Sequence, residues 1–263
     1  MFQSNFNNKN FYYNNLNLFK ILTLAAGILF IFVGIGNFTL NQLIPRHLRL
    51  LTIYTQNLAS ILATRNLALG NLNQPLNQKF DHDGLRLFYT WGLWNHCAGY
   101  LAPSNPQYCT NSIWSFKFEP FKTLLDDIPQ SLNDKASNLF NNSNLDLNKD
   151  TYFKASSHAA FYFIFISICL VACCLLLSTL NFHPINIIFF SLIAFLSNSI
   201  GTIIWTAMAA ILRHQFRQNY SQLGLIAQFG NLIWILWAIN LILFITFISS
   251  FSACIRRRKN IYP

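Results

Sequence analysis

The sequence predicts a mainly α-helical membrane protein, in which a bundle of four transmembrane helices carries a small, disulfide-bonded extracellular domain that contains β-strands. Three observations predict this fold class. The 263 residues are 53% hydrophobic and only 10% charged, whereas about a quarter of the residues of a soluble domain are charged. Four long apolar runs lack any charge and reach the length of about 20 residues that a spanning helix needs. Cys97 and Cys109 lie close together outside these runs, which is typical of a disulfide formed in an oxidising compartment.

The apolar runs divide the chain into spans and connections. Residues 1–17 contain seven Asn and little aliphatic content, so we expect them to be disordered. The predicted segments are an Asn-rich cytosolic tail (1–20), span one (21–40), an extracellular domain (41–158), span two (159–180), span three (185–212), a short outer loop (213–227), span four (228–255) and a basic cytosolic tail (256–263).

The orientation follows from the basic residues beside the spans. Four spans place both termini on the same side of the membrane. Lys9 and Lys20 precede span one, and the run Arg256, Arg257, Arg258 and Lys259 follows span four. Because basic residues are enriched in cytoplasmic segments, the sequence predicts that both termini lie in the cytosol.

A strand is predicted directly before the first cysteine of the extracellular domain. Leu85, Leu87, Tyr89 and Trp91 alternate with other residues, a period of two that is typical of a half-buried strand. The motif that follows, Trp91, Gly92, Leu93 and Trp94, is interpreted as scaffold around the cysteines. A bridge between Cys97 and Cys109 would stabilise the folded state by about 3 kcal/mol, because it limits the conformations of the unfolded chain. We expect Trp91 and Trp94 to cover this bridge.

Small and polar residues mark the middle of span three. Ser197 and Gly201 have the spacing at which small residues let helices approach closely, and Asn198 lies between them. Because a buried amide in lipid needs a hydrogen-bond partner, we interpret Ser197, Asn198 and Gly201 as a helix-packing site. A pore or transport site is the alternative.

Four features predict modification or lipid contact. Asn141 and Asn219 each begin a glycosylation sequon. Cys254 lies at the inner end of span four, next to the basic tail, and is a candidate for palmitoylation. The basic tail would attract anionic lipid, with a free energy of roughly 1 kcal/mol per charge. It consists of Arg256, Arg257, Arg258 and Lys259. The alternative for this end of the chain is a stop-transfer tail with an inert thiol.

The pattern of charge argues against an enzyme and against nucleic-acid binding. All eight acidic residues lie between Asp81 and Asp150, and the basic excess behind the net charge of +10 lies beside the spans. No span contains Asp, Glu, Lys, Arg or His in its interior, where membrane enzymes usually carry such residues. The histidines have no metal-binding spacing, and no nucleophile has a base beside it. The sequence therefore predicts no enzyme, no cofactor and no metal.

The motif around Cys97 resembles a known signature. Gly92-Leu93-Trp94-Asn95-His96-Cys97, followed by Cys109, resembles the G-L-W-x-x-C…C signature of the claudin superfamily. Over residues 20–255 the chain looks more closely like the fungal Sur-seven/PalI family. The three similar segments are the one from Thr90-Trp91-Gly92 onward, NSIGTIIWTAMAA at 198–210, and SQLG at 221–224.

This resemblance implies a claudin-like fold and a role in the plasma membrane. It implies a structural or organising protein of fungal cortical domains (eisosomes), linked to sphingolipid balance and cell-wall integrity. The implied partners are membrane lipids, anionic lipids or sphingolipids among them, and other plasma-membrane or cell-wall proteins; a homo-oligomer is also left open. One alternative is a PalI-type accessory role in ambient-pH signalling, and another is a claudin-like channel or transporter. The resemblance implies no enzymatic activity.

Overall fold

The computed structural model describes residues 3–36, 47–55, 85–100, 103, 106–128, 149–180, 184–218 and 224–261. Most of these residues are helical, and a small sheet accompanies the helices. The elements in chain order are α1 (Gln3–Ile35), β1 (Leu51–Tyr54), β2 (Phe88–Trp91), β3 (His96–Gly99), β4 (Tyr108–Cys109), α2 (Pro120–Asp126), α3 (Lys149–Thr179), α4 (Pro184–Gln218), β5 (Ile226–Phe229) and α5 (Asn231–Ile261).

Among the described residues, four helices are long and apolar enough to cross a membrane, as predicted. The candidate spans are Leu18–Ile35, Asp150–Thr179, Ile185–Gln218 and Asn231–Ser252. They contain 18, 30, 34 and 22 residues, and the hydrocarbon core of a bilayer requires about 20. The four-span, mainly helical fold class is therefore confirmed.

The first segment of the chain differs from its prediction. Helix α1 begins at Gln3, so the expectation of a disordered segment over residues 1–17 is wrong from Gln3 onward. Starting a helix is costly, whereas each further residue adds a hydrogen bond to a helix that already exists. An apolar span can therefore extend its helix into a neighbouring polar segment.

The connection between spans three and four was predicted to be a loop, and the structure differs here too. Helix α4 continues to Gln218, and residues 226–229 form strand β5. Helix α5 consequently begins at Asn231, three residues after the predicted start of span four. The reason is that Ile226–Phe229 pairs with β1 and is held extended, so the helix begins only after Gly230.

The strands form one antiparallel sheet with the order β4-β3-β2-β1-β5. Strand β2 lies at its centre, and each of its four residues is at most 1% exposed. The prediction of a half-buried strand is therefore wrong, because both faces of β2 are covered. The strand is also shorter than the alternating run, since Leu85 and Leu87 precede it.

The chain divides into two compact units. The helical unit comprises Met1–Gly34, Tyr162–Thr202 and Trp234–Pro263. Its helices pack through apolar side chains such as Phe19, Cys174 and Ile187. The sheet unit comprises Ile35–Phe161 and Ile203–Ile233, and it contains the five strands and α2.

Candidate functional site

A disulfide joins the two outermost strands on one side of the sheet. Cys97 on β3 and Cys109 on β4 are directly opposite each other, with their Cα atoms 4.0 Å apart, and they form a disulfide. The predicted disulfide is therefore confirmed. Strand β4 has only two residues, so the covalent bond adds to the few backbone hydrogen bonds that hold this edge strand.

The bridge and Trp91 lie on opposite faces of the sheet. Successive side chains of a strand point to opposite faces. Thr90 is paired with Cys97, whereas Trp91 is paired with His96. The expectation that Trp91 covers the disulfide is therefore wrong, because Trp91 projects from the face opposite to that of Cys97.

The rest of the predicted motif forms the connection between β2 and β3. The backbone N–H of Gly92 donates to the carbonyl of Asn95 at 3.0 Å. Leu93 is buried. Trp94 packs edge-on against Phe161 of α3 and tilted against Trp114, with ring centroids 5.1 Å and 5.6 Å apart. All of these contacts are packing or turn contacts.

Phe118 connects the sheet to two helices within the sheet unit. Its ring lies edge-on to Trp91, with centroids 5.3 Å apart. The same ring contacts Phe153 of α3 and Trp205 of α4, each at 5.7 Å. Aromatic pairs of this geometry contribute about 0.5–1.5 kcal/mol beyond the burial of their area. Phe118 was not predicted from the sequence, because it lies in an irregular segment without periodicity.

A network of charged and polar groups holds the start of β2 against the end of α2. Arg86 forms an ion pair with Asp127, the residue that follows α2. The hydroxyl of Tyr89 donates to Oδ2 of Asp127 at 2.7 Å, and the backbone N–H of Arg86 donates to the hydroxyl of Tyr89 at 3.1 Å. Three groups that would be costly to bury alone therefore satisfy one another.

The network shifts the proton affinity of its members. Burial raises the pKa of Tyr89 well above its ordinary value, and the carboxylate of Asp127 raises it further. Burial alone lowers the pKa of Arg86, but Asp127 and nearby tyrosines raise it, and the net direction is upward. Tyr89 therefore stays neutral and Arg86 stays charged at any physiological pH.

Helix α2 is also fastened to α3 at its other end. Asp150 of α3 accepts hydrogen bonds from the backbone N–H groups of Phe121 and Lys122, at 3.3 Å and 2.7 Å. These are among the N–H groups that have no partner inside a helix. Glu119, at the N-terminal cap position, makes no such bond with its side chain and instead forms an ion pair with Lys154 at 3.1 Å.

His96 is a neutral, partly buried residue at the start of β3. Its ring packs against Trp91, Tyr108 and Phe116. Burial lowers the pKa of His96 to about 4, with smaller opposing effects of Asp127, which raises it, and Arg86, which lowers it. Across the described ranges, no group of three or more His, Cys, Asp or Glu side chains could hold a metal ion.

The polar residues of span three lie in the helical unit, where they contact α5. The amide nitrogen of Asn198 donates to Oδ1 of Asn240 at 2.8 Å and to the carbonyl of Leu236 at 3.3 Å. Ser199 also donates to Oδ1 of Asn240, at 3.2 Å. Ser197 and Gly201 are buried beside them. These hydrogen bonds join α4 to α5.

Of the other predicted site residues, the structure describes some and not others. Cys254 is a free, partly exposed cysteine of α5. Residues 256–259, predicted as a basic tail, continue the same helix. Asn141 and Asn219 lie outside the described residues. Palmitoylation, lipid contact and glycosylation therefore stay predictions.

The comparisons with known proteins agree with this architecture. No curated protein matches the chain. A family model described as SUR7/PalI family matches residues 17–246, a range that includes the sheet, the disulfide and most of the four spans. This is the family that the motif and the span order resemble. The chain therefore belongs to the SUR7/PalI family and is a claudin-like, multi-pass membrane protein.

Proposed function

We propose that the protein is a structural organiser of the fungal plasma membrane, in cortical domains of the eisosome type, where it supports membrane and cell-wall organisation. The observation that carries this proposal is the family match over residues 17–246. In the sheet unit, the carboxylates of Asp127, Glu119 and Asp150 each bind another group of the protein. This supports a structural role. No catalytic role forms part of the proposal.

The proposed orientation places both termini in the cytosol and the sheet unit outside the cell. Two features support it: a disulfide between Cys97 and Cys109, which is typical of an oxidising compartment, and the basic run after span four. The sheet unit would then contact wall components or neighbouring membrane proteins. The basic tail would bind anionic lipid, with Cys254 as a site of palmitoylation.

A PalI-type accessory role in ambient-pH signalling is the second candidate, because the family description includes both branches. A channel or transporter built on span three gains less support. The amide of Asn198 already binds Asn240 and Leu236, which is the arrangement of a helix-packing contact.

Microscopy of the full chain with a fluorescent tag after Pro263 separates these candidates. The organiser function predicts stable cortical patches whose fluorescence recovers slowly after bleaching. Diffuse signal would contradict it, and endosomal signal would favour the pH-signalling branch. Ion flux in proteoliposomes that disappears in Asn198→Leu would instead support a channel.

A matched pair of cysteine variants controls the microscopy. Replacing both Cys97 and Cys109 by Ser removes the bridge and is expected to abolish the patches. Replacing Cys254 by Ser removes a cysteine of the helical unit and leaves the bridge intact, so patches are expected to remain if the sheet unit organises them.

A further inference from the structure

The segment between β4 and α2 exposes two large apolar side chains that are neighbours in the chain. Ile113 is 56% exposed and Trp114 is 55% exposed. Ser115 and Phe118, which follow them, are buried. Large apolar side chains gain free energy when they leave water, so an exposed pair of them marks a candidate contact surface.

The backbone around the exposed pair is fixed by its surroundings. The N–H of Ile113 donates to the carbonyl of Trp94 at 2.9 Å. Ser115 has a φ of 53°, the left-handed conformation that residues other than glycine rarely adopt. Such a residue persists only where the surrounding structure holds it in place. The exposure of Trp114 is therefore a property of the folded segment.

The ring of Trp114 contacts a helix that contains a candidate span. It lies edge-on to Phe161 of α3, with centroids 5.2 Å apart. Trp94 packs against the same ring of Phe161 at 5.1 Å and against Trp114 at 5.6 Å. Trp114, with Ile113 next to it, therefore lies close to the height of Phe161 along α3.

The length of the uncharged part of α3 places Phe161 near the boundary of the hydrocarbon core. Within the candidate span Asp150–Thr179, only residues 159–179 lack Asp, Glu, Lys, Arg and His. At 1.5 Å per residue this part is about 30 Å long, and the hydrocarbon core that it must cross is also about 30 Å thick. Because charged side chains are costly in lipid, the crossing must begin close to residue 159. Phe161 lies only about 3 Å farther along the helix.

We propose that Ile113 and Trp114 insert into the interfacial region of the lipid bilayer and anchor the sheet unit there. Tryptophan is enriched at membrane–water interfaces, where its large ring leaves water while its N–H stays near the polar headgroups. Lipid is favoured over a protein partner because the pair lies beside the part of α3 at which the helix enters the hydrocarbon core. Residues 110–118 contain no acidic residue that anionic lipid would repel. This proposal is independent of the organiser function.

Fluorescence quenching of the full chain in phosphatidylcholine vesicles tests the proposal. One vesicle preparation contains ordinary lipid, and the other contains phosphatidylcholine brominated in the upper part of an acyl chain, which quenches tryptophans in contact with lipid. The emission of Trp114 is the difference between the unchanged protein and Trp114→Phe. Most of this emission is expected to be lost in the brominated vesicles, whereas iodide on both sides of the membrane should quench it only weakly.

Two added tryptophans provide a matched comparison. Ile113→Trp adds a fluorophore to the exposed pair, and the added emission should also be lost in the brominated vesicles. Lys122→Trp adds one at an exposed position of α2. The backbone N–H of Lys122 binds Asp150, which lies about 16 Å from Phe161 along α3. The emission added by Lys122→Trp should therefore be quenched by iodide and not by brominated lipid.

Three outcomes would overturn the proposal. Quenching of the Trp114 emission by iodide alone would show that the pair lies in water. Protection from both quenchers would show that a protein surface covers it. Equal quenching of Ile113→Trp and Lys122→Trp by brominated lipid would show that the pair lies no deeper than the rest of the sheet unit. If Trp114→Phe does not fold, Ile113→Trp tests the same position.

Discussion

The hydroxyl of Tyr89 donates a 2.7 Å hydrogen bond to the carboxylate of Asp127, and this contact joins the central strand of the sheet to the residue that follows α2. Arg86 is paired with the same carboxylate. Because Tyr89 is fully buried, the position of α2 on the sheet depends on a carboxylate that serves two partners at once.

Replacing Asp127 should therefore destabilise the sheet unit. Asp127→Ala leaves Tyr89 and Arg86 without their shared acceptor, and we expect a loss of about 2 kcal/mol or more. Tyr89→Phe removes one hydrogen bond and should cost about 1 kcal/mol. Thermal unfolding of the purified full chain measures both. Lys117→Ala is the control, since it removes an exposed charge from the same unit. A Tm of Asp127→Ala equal to that of the control would contradict the role of this network.

Gly230 should not tolerate a side chain. A Cβ at this position would overlap the backbone of Arg49, and neither backbone can move without losing the hydrogen bonds between β1 and the β5–α5 connection. Gly230→Ala is expected to cost about 1–3 kcal/mol, as overpacking typically does, with a lower yield of monodisperse protein. Gly34→Ala is the control, because its added Cβ would meet no described atom within 4 Å beyond its chain neighbours and the backbone of its own helix. Equal Tm values for the two variants would show that the close approach is not required.

Asn198 and Asn240 should be energetically coupled. Their side chains share a 2.8 Å hydrogen bond between two spans, and such bonds contribute about 0.5–2 kcal/mol in membrane proteins. A double-mutant cycle with Asn198→Ala and Asn240→Ala, followed by unfolding in denaturing detergent, should give a coupling energy in this range. Asn186→Ala, at an exposed position of the same helix, should instead be additive with Asn240→Ala. Additivity of the first pair would refute the contact.

The contribution of His96 to stability should fall as the pH drops through its titration. Its pKa is lowered to about 4 in the folded protein from an ordinary value of 6.5, so the unfolded chain binds the proton more tightly. The stabilisation is complete above pH 6.5 and is lost as the pH falls towards 4. His96→Gln should remove this loss, so that its Tm rises relative to that of the unchanged protein as the pH falls over this interval. The Tm difference between His214→Gln, at an exposed histidine, and the unchanged protein should not change with pH. A profile of His96→Gln that matches the unchanged protein would exclude His96 as the source.

The features that could be predicted are those that the sequence encodes locally. A span requires a continuous apolar run, and Cys97 and Cys109 are separated by only 12 positions. The partners that were missed lie at distant positions without a periodic signal: Asp127 lies 38 positions from Tyr89, and Asn240 lies 42 positions from Asn198. Asn198 itself was predicted as a helix-packing residue, but its partner was not. Alternation also cannot show whether the second face of a strand is covered, and for that reason β2 was predicted to be half-buried.

The oxidation state and sidedness of Cys97 test most directly the central claim, which is that a disulfide-closed sheet unit lies outside the cell. Intact cells that express the chain are treated with a membrane-impermeant maleimide, with and without an impermeant reductant, and the labelled peptides are identified by mass spectrometry. Cys97 and Cys109 are expected to react only after reduction. Cys254 is expected to react only after permeabilisation, with hydroxylamine present to release any acyl group. Labelling of Cys97 without reductant, or only after permeabilisation, would contradict the bridge or the orientation.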